Sequence, residues 1–120
     1  MDARVGRLSE PALLLLLAER PTHGYELLER LPPLVGVESV DVGSLYRILR
    51  ALEHDGVVSS TWSADLPGAA KRTYELTASG ARLLEAWIGA LEAARDGIDE
   101  FLLRYREKGG EHVPRTEPRT

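Results

Sequence analysis

The chain has 120 residues, a formal net charge of −4 and no cysteine. That length suits one domain with a modest hydrophobic core, and a sequence without cysteine excludes disulfides, thiol catalysis and thiolate metal sites. Residues 1–8 lack the apolar core of a signal peptide and the Leu13–Leu17 run is too short to cross a membrane, so we expect a cytoplasmic protein with no membrane partner.

The first helix is predicted from Glu10 to about Arg20. Ser9 is a good N-cap, and a proline at position 11 suits the first turn of a helix. The run Leu13–Leu17 is apolar all round, so this helix is expected to be buried on several sides, in part by a partner subunit. Pro21 ends it.

A second helix is predicted from His23 to about Leu31. Thr22 is the candidate cap, and Pro32 and Pro33 are expected to stop the helix. The predicted inward side chains are those of Tyr25, Leu28 and Leu31. Residues 34–40 are expected to form a loop.

The segment Val42–Asp55 predicts an amphipathic helix with Asp41 as its N-cap. Apolar residues recur at i, i+3, i+4 and i+7 and form one stripe, namely Leu45, Ile48, Leu49 and Leu52. The opposite face carries side chains that can bond phosphates and base edges, namely Ser44, Tyr46, Arg47 and Arg50. Gly56 is the expected helix stop. Taken alone, this segment is also compatible with an ordinary amphipathic helix whose arginines are solvated.

Two strands are predicted next, Val57–Trp62 and Arg72–Leu76, with a turn at Ala64–Lys71. Trp62 is predicted to pack against the fold. A helix leading straight into such a hairpin is typical of a winged helix-turn-helix, in which the hairpin is the wing. Lys71 and Arg72 then lie where a wing contacts DNA, or they are solvated turn charges.

Thr77 is predicted to cap a long helix from Ala78 to about Lys108. Its apolar residues repeat every seven positions, at Leu84, Leu91, Ile98 and Tyr105 and at Trp87, Ala94 and Phe101. A helix of this length spans roughly 45 Å, whereas the preceding domain is only about 25 Å across. We therefore expect the seam to form a dimer interface (Leu84, Trp87, Leu91, Ala94, Ile98, Phe101) and not to pack only on its own domain.

The predicted organisation is a winged helix-turn-helix domain over residues 1–77, a dimerisation helix over 78–108 and a disordered tail over 109–120. The fold class is mainly α with a small β-hairpin.

The acidic balance is unusual for a DNA-binding protein, but affinity for DNA depends on the charge of the docking face. Much of the acid belongs to the last helix, at Glu85, Glu92, Asp96, Asp99, Glu100 and Glu107.

Three segments resemble the PadR family of bacterial transcriptional regulators. They are PTHGYEL at 21–27, GSLYRILRALEHDGVV at 43–58 and KRTYELTASG at 71–80. Their order and spacing are more specific than any one of them, and the resemblance extends from about Leu8 to Tyr105. It implies a winged helix-turn-helix with a C-terminal dimerisation helix, and repression of a promoter that a small molecule often relieves. The single long helix resembles the short-tailed branch of the family.

The resemblance also implies which residues contact operator DNA. They are Ser44, Tyr46, Arg47 and Arg50 on the helix and Lys71 and Arg72 on the wing. Many family members have proline at the position of Arg47, so the chain departs from the pattern there. Some drug-sensing relatives stack flat ligands between paired tryptophans, but Leu91 falls at that spacing and Trp87 lies one turn earlier. Trp87 and Leu91 are thus the candidate wall of a pocket for a hydrophobic or aromatic effector.

The sequence shows no catalytic constellation, so we expect no enzyme activity, cofactor or metal. The three histidines form no cluster with metal-ligand spacing, and neither Ser44 nor Ser79 is paired with a base. The favoured function is a homodimeric DNA-binding transcriptional repressor that binds double-stranded operator DNA and is released by an effector. The alternative is a winged-helix protein-interaction module without specific DNA binding.

Overall fold

The computed structural model describes residues 8–63 and 71–109. Seven elements follow one another along them: α1 (Ser9–Glu19), β1 (Thr22–His23), α2 (Gly24–Val35), α3 (Val42–His54), β2 (Val58–Ser63), β3 (Lys71–Leu76) and α4 (Ala78–Glu107). The predicted fold class, mainly helical with a small β-hairpin, is confirmed. None of the helices in the described part of the chain is long and apolar enough to span a membrane.

One hydrophobic core holds α1, α2, α3 and the hairpin together. Its fully buried side chains are Leu13, Leu14, Leu27, Leu31, Leu45, Leu49 and Val58. As expected, α1 is buried around most of its circumference, and only Leu15 among its leucines is exposed. Burial of this many large apolar side chains is the main favourable contribution to folding.

The first helix begins one residue earlier than predicted, so Ser9 is not its N-cap. Leu8 occupies the cap position with φ −84° and ψ −4°, and no side chain makes a capping hydrogen bond there. The Leu8 carbonyl accepts a hydrogen bond from the Ala12 amide at 2.9 Å, which places Ser9 inside the first turn.

Pro32 and Pro33 do not stop α2, contrary to the prediction. The helix continues through both prolines to Val35 and ends at Gly36, which has the left-handed φ of 78°. The amide of Val37 closes this end by donating to the Pro32 carbonyl at 3.1 Å. Two backbone donors are lost at the prolines, but Pro32 and Val35 are both buried in the core, and this packing offsets the loss.

The inward face of α2 is the predicted one for Leu28 and Leu31 but not for Tyr25. Tyr25 is 71% exposed, whereas Leu27 and Leu31 are fully buried and Leu28 is half-buried. Tyr25 lies about 200° around the helix from the buried Leu27, at 100° per residue, so it is on the outer side.

The sheet contains a short strand that was not predicted. Its strand order is β1-β3-β2, all antiparallel, and β1 pairs Thr22 with Tyr74 and His23 with Thr73. In the hairpin, β2 and β3 pair from Val58 opposite Leu76 to Ser63 opposite Lys71. The predicted turn lies largely at residues 64–70, outside the described residues.

The start of α4 is fixed against the hairpin. Thr77 caps the helix as predicted, since its hydroxyl accepts from the Gly80 amide at 3.0 Å and donates to the Gly56 carbonyl at 2.8 Å. Gly80 is buried, and a Cβ at this position would lie 2.1 Å from the Val57 carbonyl oxygen. Only glycine allows this close approach of helix and hairpin.

The chain divides into two compact units, Met1–Trp87 and Ile88–Thr120. The first contains the core, the sheet and the beginning of α4. The second contains the rest of α4, where every side chain from residue 92 to 109 is exposed. The predicted tail lies, from residue 110 onwards, outside the described residues.

Candidate nucleic-acid interface

The helix α3 has the boundaries and the caps that its sequence predicts. The Asp41 carboxylate accepts a hydrogen bond from the Ser44 amide at 2.9 Å, which satisfies one of the free donors of the first turn. This bond, and a second from the Ser44 hydroxyl, hold the pKa of Asp41 below its ordinary value of 3.8. At the other end Gly56 has φ 79°, and the amides of Gly56 and Val57 close the helix on the carbonyls of Glu53 and Leu52.

The apolar stripe of α3 faces the core, and the opposite face is free. Leu45 and Leu49 are fully buried, Leu52 is 3% exposed and Ile48 is half-buried. Arg47 and Arg50 are exposed on the other side. No hydrogen bond or ion pair within the described residues engages either guanidinium, so both are available to an external anion.

Two other residues predicted to contact DNA have partners within the fold. The Ser44 hydroxyl donates to Asp41 at 3.1 Å and therefore belongs to the helix cap. The half-buried Tyr46 ring lies against Gly24, where a Cβ would come within 2.6 Å of the Tyr46 hydroxyl oxygen. Tyr46 thus packs α3 against the start of α2.

Arg72 is held in a network that joins the wing to α3. Its Nε donates to the Ser60 hydroxyl at 2.8 Å, that hydroxyl donates to the Glu53 carboxylate at 2.6 Å, and Arg72 is ion-paired with Glu53 at 3.5 Å. The guanidinium also lies 5.4 Å from the centre of the Trp62 ring and 6.0 Å from that of Tyr74. Burial raises the pKa of Tyr74 above its ordinary value of 10.0, so its hydroxyl stays protonated at neutral pH.

An open cleft of about 870 Å³ lies between α3, the wing and the start of α2. Its lining brings together the exposed Arg50 of α3 and the exposed Lys71 of the wing, which were predicted to share one surface. Aromatic side chains form much of the remaining wall, namely Tyr25, Tyr46, Trp62 and Tyr74. The one carboxylate among the described residues of this lining, Glu53, is paired with Arg72, so a cleft with these cations and aromatic rings suits an anionic chain that also presents apolar surface.

Comparison with known proteins identifies the family. The chain matches the model of the PadR-like family of transcriptional regulators over residues 13–86, more than half of its length. It belongs to this family. The matched segment contains all three motifs that carry the resemblance, but leaves out most of α4.

Solved structures agree with the PadR assignment. A Thermoplasma acidophilum protein, proposed to be a transcriptional regulator, is 31% identical with a TM-score of 0.70, over 85% of this chain and 96% of that one. A PadR-family regulator of Eggerthella lenta is 26% identical with a TM-score of 0.66, over 84% and 90% of the two chains. A comparison with curated proteins finds no match.

One similar structure is that of Bacillus subtilis PadR in complex with operator DNA. It is 25% identical with a TM-score of 0.59, and the match covers 66% of this chain and 46% of the Bacillus chain. The part shared by the two proteins is thus less than half of the protein bound to DNA in that complex.

Two exposed aromatic residues of this PadR-family protein were missed or misplaced by sequence reasoning. Trp62, predicted to pack, is 65% exposed at the outer end of β2, and Tyr25, predicted to face inward, is exposed and lines the same cleft. The alternation of β2 could not show this, because it places Trp62 on the same face as the buried Val58, and Trp62 is exposed because it lies at the end of the strand away from the core.

The residues predicted to form the dimer seam fall into two groups. Leu84 and Trp87 are half-buried against the core of their own unit, and the Trp87 indole donates to the Glu10 carboxylate at 3.1 Å. Leu91 is half-buried, whereas Ala94, Ile98 and Phe101 are exposed.

No group of three metal-ligating side chains is found among the residues that the structure describes.

Proposed function

We propose that this PadR-family regulator binds double-stranded operator DNA through the exposed face of α3 and the adjacent wing. The observation that supports this best is the pair of exposed guanidiniums of Arg47 and Arg50, directly opposite a buried leucine stripe. An arginine fork can bind a guanine edge or a phosphate with two hydrogen bonds. The resemblance to Bacillus subtilis PadR, which was solved with operator DNA, supports operator DNA as the ligand.

The six predicted contact residues take different parts in this proposal. Arg47, Arg50 and Lys71 are the exposed cations, and they supply phosphate or base contacts. Ser44 and Tyr46 lie beside them and act mainly through the position of α3, because both have partners inside the fold. Arg72 is not one of these cations, since its charge is already paired with Glu53.

We further propose a homodimer that represses its promoter. Two recognition helices related by a twofold axis would bind half-sites about one helical turn apart in a pseudo-palindromic operator. The seam residues Leu91, Ala94, Ile98 and Phe101 are the proposed contacts between subunits. Leu84 and Trp87 contribute only the surface that their own core leaves exposed.

A small hydrophobic or aromatic effector is proposed to bind beside Trp87 and Leu91 and to release the operator. Such a ligand can act only through its different affinities for the DNA-bound and the free arrangement of the subunits. Tryptophan fluorescence should therefore change on binding, and the change should survive in Trp62→Phe, which retains Trp87. A ligand that releases DNA while the Trp87 signal stays constant would place the pocket elsewhere.

Salt titration of binding to a promoter duplex separates this proposal from a protein-interaction module. Each phosphate that the protein neutralises releases condensed cations from the DNA. A plot of the logarithm of the binding constant against the logarithm of the salt concentration should therefore fall with a slope of about −0.9 per phosphate. The duplex should contain the promoter of the gene that encodes this chain, and a scrambled duplex of equal length is the control. Equal, weak binding of both duplexes would contradict specific DNA recognition.

A further inference from the structure

The wing presents an exposed tryptophan and an arginine directly opposite each other on adjacent strands. Trp62 and Arg72 are paired across β2 and β3, so their side chains lie on the same face of the sheet. Further along this face, the side chains of Tyr74, Val58 and Leu76 belong to the core or pack against it. Towards the outer end the same face carries Ser60 and then the Trp62–Arg72 pair, so the pair lies where the wing leaves the core.

Arg72 is poorly suited to contact a phosphate, although its sequence position suggests that role. Its Nε is bonded to Ser60, and its terminal nitrogen is ion-paired with Glu53. Glu53 belongs to α3, so this network fixes the wing to the helix that carries Arg47 and Arg50. A phosphate that approached the remaining N–H groups of this guanidinium would also meet the Glu53 carboxylate, which neutralises the charge of Arg72 and repels the phosphate.

Trp62, unlike Arg72, is well placed to contact DNA. It is 65% exposed and lines the same cleft as Arg50 and Lys71. The Arg72 guanidinium lies over its ring at 5.4 Å, which holds the indole in place by a cation–π interaction. An indole offers an apolar face for a deoxyribose and an N–H donor for a phosphate oxygen.

We propose that Trp62 is a DNA-backbone contact of the wing and that Arg72 is its positioning residue. The inference rests on the proposed DNA-binding function and deepens it. The indole packs on a sugar and donates its N–H to the adjacent phosphate, without adding charge to the interface. Arg72 keeps the ring in this position by stacking on it while Ser60 and Glu53 keep Arg72 in place.

The proposal predicts a separation between affinity and salt dependence. Trp62→Ala should weaken operator binding roughly ten-fold and leave the salt slope unchanged, because a neutral contact releases no cations. Trp62→Phe should have an intermediate effect, since it keeps an aromatic face and loses the N–H. Lys71→Ala should reduce the salt slope by about 1, as expected for a cation on a phosphate. Leu34→Ala, exposed on α2 outside the cleft lining, is the control and should bind as the wild type does.

Arg72→Lys distinguishes a positioning residue from a phosphate contact. Lysine keeps the charge but loses the planar guanidinium that bonds Ser60 and covers the indole. We expect it to cost about as much affinity as Trp62→Ala, with the wild-type slope, and the double variant to be no worse than either single one. Wild-type affinity in Arg72→Lys, or additive losses in the double variant, would overturn the positioning role.

Fluorescence provides a second readout that does not depend on affinity. Operator DNA should protect Trp62 from iodide quenching in the wild type, and this protection should disappear in Trp62→Phe. The proposal for Trp62 would be overturned by wild-type operator affinity in a folded Trp62→Ala variant, or by quenching that DNA binding leaves unchanged. Neither result would contradict the proposed DNA contacts of Arg47 and Arg50. Absence of duplex binding by the wild type would instead overturn both this inference and the proposed function.

Discussion

At the scale of single residues, short polar contacts determine where α3 begins and which of its side chains are free. Asp41 and Ser44 are hydrogen-bonded to each other in the helix cap, and Tyr46 packs against Gly24. Arg47 and Arg50 therefore remain available to an external partner. The sequence predicted Ser44, Tyr46, Arg47 and Arg50 on one face. It could not separate them, because periodicity gives the direction of a side chain and not its hydrogen-bond partner.

The Asp41 cap makes a testable contribution to stability at acidic pH. Its pKa is lowered in the fold, so its stabilising effect is complete above the ordinary value of 3.8 and is lost as the pH falls below it. Asp41→Ala should lower the denaturation midpoint at neutral pH and flatten the acid limb of the stability profile. Asp41→Asn, which can still cap, should keep most of the neutral-pH stability but also lose that acid dependence. Urea denaturation between pH 3 and pH 7 is the measurement, and identical acid limbs in all three proteins would refute the role of Asp41.

At the scale of elements, the sequence predicted the helix ends that neighbouring residues determine, but not the strand pairing between residues far apart in the chain. Asp41 and Gly56 fixed the ends of α3 to within one residue, since both act on the adjacent backbone. The strand β1 was missed because Thr22 and His23 pair with residues about 50 positions away. The prolines of α2 were misjudged for a related reason, because burial of Pro32 is a tertiary effect that no local rule contains.

Two glycines of α4 provide a matched test of how that helix is fixed to the hairpin. Gly80→Ala should destabilise the fold by roughly 1–3 kcal/mol or more, because its Cβ would overlap the Val57 carbonyl, which is backbone and cannot rotate away. Gly89→Ala meets nothing within 4 Å and should stabilise the helix by about 0.5–1 kcal/mol. Chemical denaturation of both variants checks this pair. Equal effects of the two substitutions would show that Gly80 is not a close-approach position.

At the scale of the whole molecule, the sequence predicted a dimer seam along α4. The described residues narrow the proposed contacts between subunits to the later part of that seam. The seven-residue repeat is long, but its first members, Leu84 and Trp87, already pack on their own core. The later members, including Ile98 and Phe101, are large, apolar and more than half exposed. Exposed apolar side chains at this spacing are typical of a surface that pairs with another helix.

Substitution on and off the seam tests the dimer. Ile98→Asp should convert the protein to a monomer, because it introduces a charge at a position proposed to be buried between subunits. Leu103→Asp makes the same change at an exposed position outside the seven-residue repeat and should leave the protein dimeric. Sedimentation at micromolar concentration distinguishes the two. A monomeric wild type, or dissociation by both variants alike, would contradict the proposed seam.

Recognition of DNA by the exposed arginines of α3 can be tested by measuring binding to defined duplexes. Operator affinity should be compared in the wild type, Arg47→Ala, Arg50→Ala and the double variant, on the promoter duplex and on single-base variants of each half-site. A base contact should cost roughly 1–3 kcal/mol and relax specificity at one position, whereas a phosphate contact should weaken binding to all sequences alike. We expect both single variants to lose affinity for the operator while their circular-dichroism spectra stay unchanged. Wild-type affinity in the folded double variant would contradict this expectation.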